Sequence, residues 1–272
     1  PNLRITFFLG AEMKKNYLSD GDGFDGDFAA TVRSLFDRIQ EWLGENSEEI
    51  TKIIRSVHRY VIFSDSGWFL HYTTPIDLIS DDATSSNITP IMAAYYRDNW
   101  PEVAAAFRTQ LALMDVDEEA KATFEEALEA HGAGLYRCAV RVLFPEIERL
   151  ARNELLNGSL GRITSLLEVR RAAGALGTSE LHLFGDQSVF GQFVVMSEHL
   201  YAEVRSPDRL EELSNSPIPN RHAALHGLIS YNSLQSSLAG LIMAEFMFKA
   251  ISIIKAQPDL LKRSTREDQG PR

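Results

Sequence analysis

The residues best suited to chemistry lie in one short segment, PIPNRHAALHG at positions 217–227, which places Arg221, His222 and His226 within six positions. Histidine has an ordinary pKa of about 6.5 and can act as a general acid or a general base. Arginine carries a permanent charge on a planar set of donors that fits phosphoryl oxygens. Cleavage of RNA without a metal needs a base for the 2′-hydroxyl proton, an acid for the 5′-oxygen and a cation for the charge on phosphorus. The segment supplies all three residue types.

Helix geometry limits how these side chains can act together. Asn220 is a typical N-cap residue, so we expect a helix to begin at Arg221, where free amides and the helix dipole favour a bound phosphate. His222 and His226 are four positions apart and share a face. Arg221 and His226 are five apart and diverge by about 140° on a regular helix. A distorted first turn or a second copy of the chain is therefore needed to bring both to one phosphate.

Two other interpretations of the same residues stay open. In the first, Asn220 is only a cap, Arg221 is solvated and the histidines pack between helices. In the second, His222 and His226 share a metal ion, as histidines at i and i+4 can. The segment lacks the glutamate of an H-E-x-x-H helix and the sequence offers no evident third ligand. We therefore predict neither a metal nor another cofactor.

The pattern of apolar residues predicts an all-α fold. Val32, Leu35, Phe36 and Ile39 recur at helical spacing, and similar patterns continue along the chain. Capping signals predict further helices that begin at Asn46 with Glu49, at Thr89 with Pro90, and at Asp115 with Glu118. Pro101 starts a helix or kinks one, and Pro145 predicts a kink. Residues 66–87, rich in turn formers and aromatic residues, form a connector packed on the helices.

A long apolar helix is predicted from about Tyr231 to Ala256. It approaches the length of a membrane span, but Glu245 and Lys249 lie near its middle, which favours a buried helix of a soluble bundle over membrane insertion. The first residues lack the basic region and cleavage site of a signal peptide. One cysteine, Cys138, excludes a disulfide framework. These features predict a cytoplasmic protein without a membrane partner.

The charge is unevenly distributed between the two parts of the chain. Residues 1–120 have 10 Lys and Arg against 20 Asp and Glu, a balance of −10, and the rest have 17 against 18, a balance of −1. A net charge of −11 argues against a nucleic-acid partner, but nearly all of the acidity lies in the first part, which weakens that argument. We predict an acidic helical N-terminal region at 1–118, a helical domain at 119–258 and a polar tail at 259–272.

The segment PNRHAALHG resembles the motif of HEPN domains. That family has an arginine, a polar residue that is usually Asn, Asp or His, a few variable residues and a histidine, which Arg221, His222 and His226 match at short spacing. The preceding segment GLYRCAVRVLFPEIERLARNELL and the long apolar helix that follows fit the family's helical setting. The resemblance covers about half the chain, and the N-terminal region departs from the small single-domain members.

The resemblance implies a helical bundle that forms a homodimer, with two copies of the motif facing each other across a two-fold axis. It also implies metal-independent endoribonuclease activity in a toxin–antitoxin or phage-defence system, with an antitoxin or activator as a further partner. Arg221 and His226 would be the catalytic pair, and His222 the polar residue that orients or polarises. Some members are inactive, so a non-catalytic binding or scaffold module is the alternative.

Four further residues are candidates around the motif. Arg141 and Arg152 are eleven apart, three helical turns, and so share a face that could contact an RNA backbone. Their alternative is a solvated face that pairs with nearby glutamates. Glu148, chosen narrowly over Glu146, could orient a motif side chain, as could Asn220 beside its role as a cap. Tyr231 could stack on a base, or pack between helices.

Overall fold

A computed structural model describes residues 61–156 and 202–256, together with positions 44, 48, 58, 59, 158, 199 and 200. The chain divides into two compact units, Pro1–Val57 and His58–Arg272. The helical pattern at Val32, Leu35, Phe36 and Ile39, the predicted helix start at Asn46 with Glu49, and the tail 259–272 lie outside the described residues.

All regular secondary structure among the described residues is helical, which confirms the all-α prediction. Residues 61–66 end one helix, and a single 3₁₀ turn covers Ile76–Leu78 in the connector. The remaining helices are α1 (Ile88–Asp98), α2 (Trp100–Ala112), α3 (Glu118–Gly132), α4 (Tyr136–Leu156), α5 (Pro207–Ser214), α6 (Arg221–Leu225) and α7 (Leu234–Ala256).

The helix starts settle one open alternative, at Pro101, and correct two sequence signals, at Asp115 and Thr89. Pro101 lies in the first turn of α2, so it starts a helix rather than kinking one. The cap of α3 is Asp117, whose side chain accepts from the N–H of Ala120; the predicted cap Asp115 instead pairs with Lys255. Helix α1 already begins at Ile88, and Thr89 accepts a hydrogen bond from the Trp68 indole at 3.1 Å.

Helix α7 forms the centre of the unit. Its side chains are apolar on every side, and a helix of that kind must be surrounded by other elements. It packs against α4 and α3, which also pack against each other. By length and composition α7 could cross a membrane, but 83% of its most apolar window is buried inside the fold.

Three further features of α4, α7 and the chain between them can be compared with the sequence predictions. Helix α7 begins at Leu234, so the predicted start at Tyr231 is wrong by three residues. Helix α4 continues through Pro145. Helix α5, capped by Ser206 with Pro207 at its first position, was not predicted, although Ser-Pro is a recognisable start signal.

The division predicted at residue 118 lies inside the second compact unit. Buried residues on both sides of it, among them Phe107 and Phe124 with ring centroids 5.9 Å apart, belong to one hydrophobic core. Arg149 of α4 also donates to the Asp117 carboxylate at the start of α3, which lowers the pKa of that carboxyl. A separate role for 1–118 stays a prediction.

Candidate functional site

Capping residues at both ends define the five-residue helix α6. At its start, the Asn220 side chain accepts from the Ala223 N–H at 2.9 Å. At its end, Gly227 has a φ of +70°, a conformation that favours glycine. The N–H of Leu228 donates to the Ala223 carbonyl at 2.9 Å, which is the hydrogen bond of a Schellman motif. The motif therefore occupies one short, closed turn of helix.

Asn220 also fixes this turn to the preceding segment. The side chain is fully buried, and its amide donates to the carbonyls of His199 and Ala202 at 2.7 and 2.9 Å. The His199 Nε2 lies 2.9 Å from the Ile218 carbonyl. Burial lowers the pKa of His199, so the ring is neutral near pH 7 and Nε2 carries the proton that it donates. The backbone that leads into the turn is thus held in place.

Arg221 is held by the helix that packs behind it. Helix α6 contacts α4, and the Arg221 guanidinium meets the Glu148 carboxylate through two nitrogens, with Nε at Oε1 and Nη2 donating to Oε2 at 2.9 Å. The Arg221 side chain is 30% exposed and that of Glu148 is 15% exposed. Glu148 occupies one edge of the guanidinium. The edge formed by Nη1 and the second Nη2 hydrogen has no other partner among the described residues.

The two histidines of the motif lie next to each other. The ring centroids of His222 and His226 are 4.5 Å apart, and the planes are inclined by 46°. His226 caps the end of α6 and is exposed, whereas His222 is half-buried. In the described part of the chain, no hydrogen bond or ion pair joins Arg221 to either ring. The structure thus brings Arg221 into contact with Glu148, and His222 into contact with His226.

The candidate residues outside the motif, Arg141, Arg152 and Tyr231, lie in different environments. Arg141 is exposed and Arg152 is half-buried on α4, and neither has an ion-pair partner within the described ranges. Tyr231 is 5% exposed and has a φ of +44°, and it belongs to the core cluster. Burial raises the pKa of its phenol. In this position the Tyr231 ring packs between helices and is not accessible to a base.

The described residues contain no group of three or more His, Cys, Asp or Glu side chains that could hold a metal ion. His222 and His226 therefore have no third ligand of these types among them. The chemistry available at the motif is proton transfer by imidazole and charge stabilisation by a positioned guanidinium.

A second polar cluster was not predicted from the sequence. Glu245, buried in the middle of α7, accepts from the Tyr72 hydroxyl and lies 2.6 Å from the His71 Nε2. The His71 Nδ1 lies 2.7 Å from the Thr73 hydroxyl, which lies 3.2 Å from that of Tyr96. Burial, followed by the Glu245 charge, strongly raises the pKa of Tyr72. The lone Glu245 in an apolar helix was the signal that buried partners must exist.

Comparison of the chain with protein-family models, with curated protein sequences and with solved structures finds no match. The resemblance to HEPN domains rests on the motif and on its helical setting.

Proposed function

We propose that this protein is a metal-independent endoribonuclease of the HEPN type, in which Arg221 and His226 carry the reaction. The observation that carries the proposal is the ion pair of Arg221, in which Glu148 holds one edge of the guanidinium. The same short helix also presents an exposed histidine, His226. A guanidinium fixed in this way loses little side-chain entropy when its open edge binds a phosphate.

The reaction proceeds by attack of the 2′-hydroxyl on the adjacent phosphorus. One imidazole takes the 2′-hydroxyl proton, the new O–P bond closes a 2′,3′-cyclic phosphate, and an imidazolium gives a proton to the departing 5′-oxygen. Arg221 stabilises the negative charge that grows on the phosphoryl oxygens. His226 is assigned to proton transfer because it is exposed, and His222 orients or polarises it from 4.5 Å.

The proposal includes a homodimer. Arg221 and His226 are five positions apart and diverge by about 140° on a regular helix, so one motif alone does not surround a phosphate. A second copy would add its own arginine and histidine. Exposed apolar side chains on α4 and around α6 offer contact area for that partner: Val142, Leu225 and Leu228. A defence or toxin role, regulation by an antitoxin or activator, and a cytoplasmic location belong to the same proposal.

A non-catalytic helical module is the second candidate. Its support is the same ion pair, because an arginine held by a half-buried glutamate also serves as a structural link between α6 and α4. The two candidates differ in what happens to RNA, since a structural link leaves RNA intact.

The test is RNA cleavage by purified protein. Wild type is expected to produce fragments with 2′,3′-cyclic phosphate ends in the presence of EDTA, and His226→Ala is expected to lose at least a hundredfold in rate, in the range for a general acid or base. Arg221→Lys keeps a cation but loses the planar fork, so it should also be strongly impaired.

Folding is controlled by a variant that removes both partners. Arg221→Gln/Glu148→Gln leaves no unpaired charge, and a native circular dichroism spectrum together with lost cleavage separates catalysis from folding. A His226→Ala protein that cleaves RNA at the wild-type rate would contradict the assignment of proton transfer to His226. RNA that stays intact with wild-type dimer would favour the binding module.

A further inference from the structure

The helix that ends at Ser66 is followed by a turn that is anchored on both sides. Its backbone closes through Gly67 and Trp68 with the two hydrogen bonds of a Schellman motif, at 3.1 and 3.0 Å. The Gln235 side chain of α7 donates to the Ser66 carbonyl at 2.9 Å. The Trp68 indole donates to the Thr89 hydroxyl of α1. The turn is therefore fixed to two helices of the core and has little freedom to move.

The segment that contains the motif packs on this turn through Pro217. Gly67 is buried and has a φ of +70°. A Cβ atom at Gly67 would lie less than 3.0 Å from the Pro217 Cγ and 3.0 Å from its Cδ, so the proline ring occupies the space that a side chain would need. The next nearest atom, the Gln235 Nε2, would be 3.6 Å away, which is an ordinary contact. The backbone conformation and the close approach of Pro217 thus both require glycine here.

A short and stiff piece of chain joins Pro217 to the cap of α6. Pro217 and Pro219 each fix φ near about −65°. The carbonyl of Ile218 between them accepts the His199 hydrogen bond at 2.9 Å. Pro219 and Asn220 are buried. Because this piece of chain has few ways to bend, a displacement of Pro217 reaches the cap and hence α6.

We propose that Gly67 and Pro217 are positioning residues for the motif. The anchored turn at Gly67 fixes the Pro217 ring, and the stiff chain that follows places α6, with Arg221 and His226, relative to the core. Neither positioning residue acts on the substrate itself. The consequence for RNA cleavage rests on the proposed function, whereas the effect on α6 does not.

The test compares two glycines with the same backbone conformation. Gly134 has a φ of +74°, and a Cβ atom there would meet no atom within 4 Å. Gly67→Ala and Gly134→Ala therefore introduce similar backbone strain, but only Gly67→Ala displaces a neighbour. The amides of Ala223 and Leu228 close the two ends of α6. In the full chain, their hydrogen exchange should become at least about fivefold faster in Gly67→Ala. Gly134→Ala should leave it unchanged relative to the amides of α7.

A second substitution removes the clash. Gly67→Ala/Pro217→Ala lacks the ring atoms that the new methyl group would strike, so both exchange rates should return toward those of wild type. This double-mutant cycle measures the coupling between the two positions. The ring resonances of His222 and His226, recorded by NMR at pH 7, should shift in Gly67→Ala and return in the double variant. If wild type cleaves RNA, the cleavage rate should fall and recover in the same order.

Pro217→Ala alone decides the question if Gly67→Ala does not fold. Loss of the ring releases the chain from the turn, so the same two amides should exchange faster than in wild type. Equal exchange in Gly67→Ala and Gly134→Ala, no recovery in the double variant, or unchanged exchange in Pro217→Ala would each overturn the positioning role.

The readouts also separate this inference from the proposed function. Exchange and histidine resonances that behave as expected, with RNA left intact by wild type, would support the positioning role and remove the nuclease assignment. Wild-type cleavage that Gly67→Ala leaves unchanged, together with unchanged exchange in α6, would overturn the positioning role and leave the nuclease assignment standing.

Discussion

His131 shows how burial fixes the protonation state of one residue. The ring lies at the end of α3, 4.0 Å from the Trp100 ring, and its Nδ1 lies 2.8 Å from the Ser237 hydroxyl of α7. No charged group opposes the cost of removing it from water, and desolvation lowers its pKa to about 3. The folded protein therefore contains a neutral ring across the pH range in which an unfolded chain becomes protonated.

This difference predicts a loss of stability in mild acid. Between pH 6.5 and about 3 the unfolded state binds a proton that the folded state does not, so the free energy of unfolding falls as the pH falls. From pH 7 to pH 5 the contribution of His131 is about 2 kcal/mol. Urea unfolding of wild type and His131→Gln at both pH values should show a smaller fall in the variant. His226→Gln, at an exposed position, should behave as wild type does; an equal fall in all three proteins would refute the assignment.

At the scale of the single helix, α6 depends on the side chain of Asn220, which makes two kinds of hydrogen bond. The Asn220 oxygen caps the helix, while its amide donates to the two carbonyls of the segment at 199–202. Aspartate is as good an N-cap as asparagine but has no amide to donate. The two functions of Asn220 can therefore be separated by substitution.

We expect Asn220→Asp to destabilise the fold at least as much as Asn220→Ala. The alanine variant loses the cap, which costs about 1 kcal/mol, and leaves two carbonyls without their donor. The aspartate variant keeps the cap but places a buried carboxylate against those carbonyls. Urea unfolding at pH 7 measures both. An aspartate variant as stable as wild type would mean that the amide donations contribute little.

The sequence predicts α6 better than it predicts the surroundings of α6. Asn220 predicted the start of α6 because a cap acts within one turn, whereas the end of α6 at Gly227 was not predicted, although a left-handed glycine is an equally local signal. The partner of Arg221 is not local: Glu146 and Glu148 both follow Pro145, and only the packing of α6 on α4 selects Glu148. The same reason explains Tyr231, whose burial depends on helices distant in sequence.

At the scale of the whole unit, Glu245 joins the connector to the core. Its carboxylate receives the Tyr72 hydroxyl and the His71 Nε2, and the His71 ring stacks on Phe107 of α2 at 5.0 Å. A buried carboxylate is tolerated only where donors satisfy it. The central helix therefore contains one polar position that fixes how the connector lies on the bundle.

Removal of Glu245 alone should be costly. Glu245→Ala leaves the buried His71 Nε2 without its partner, and the more exposed Tyr72 hydroxyl without its acceptor, and is expected to cost about 1–3 kcal/mol. The triple variant His71→Phe/Tyr72→Phe/Glu245→Leu replaces the cluster by apolar groups and should recover much of that loss. Urea unfolding and amide exchange over residues 67–87 report on both, and Glu125→Ala, which breaks an exposed pair with Arg108, should change stability by less than about 1 kcal/mol. A Glu245→Ala protein with wild-type stability would contradict this role.

The position of α7 in the chain has a consequence for biosynthesis. Its main packing partners, α3 and α4, precede it in sequence. Translation proceeds from the N-terminus, so both helices have left the ribosome before the apolar residues of α7 emerge. The segment that could insert into a bilayer on length and composition alone thus meets an existing apolar surface while it is being made.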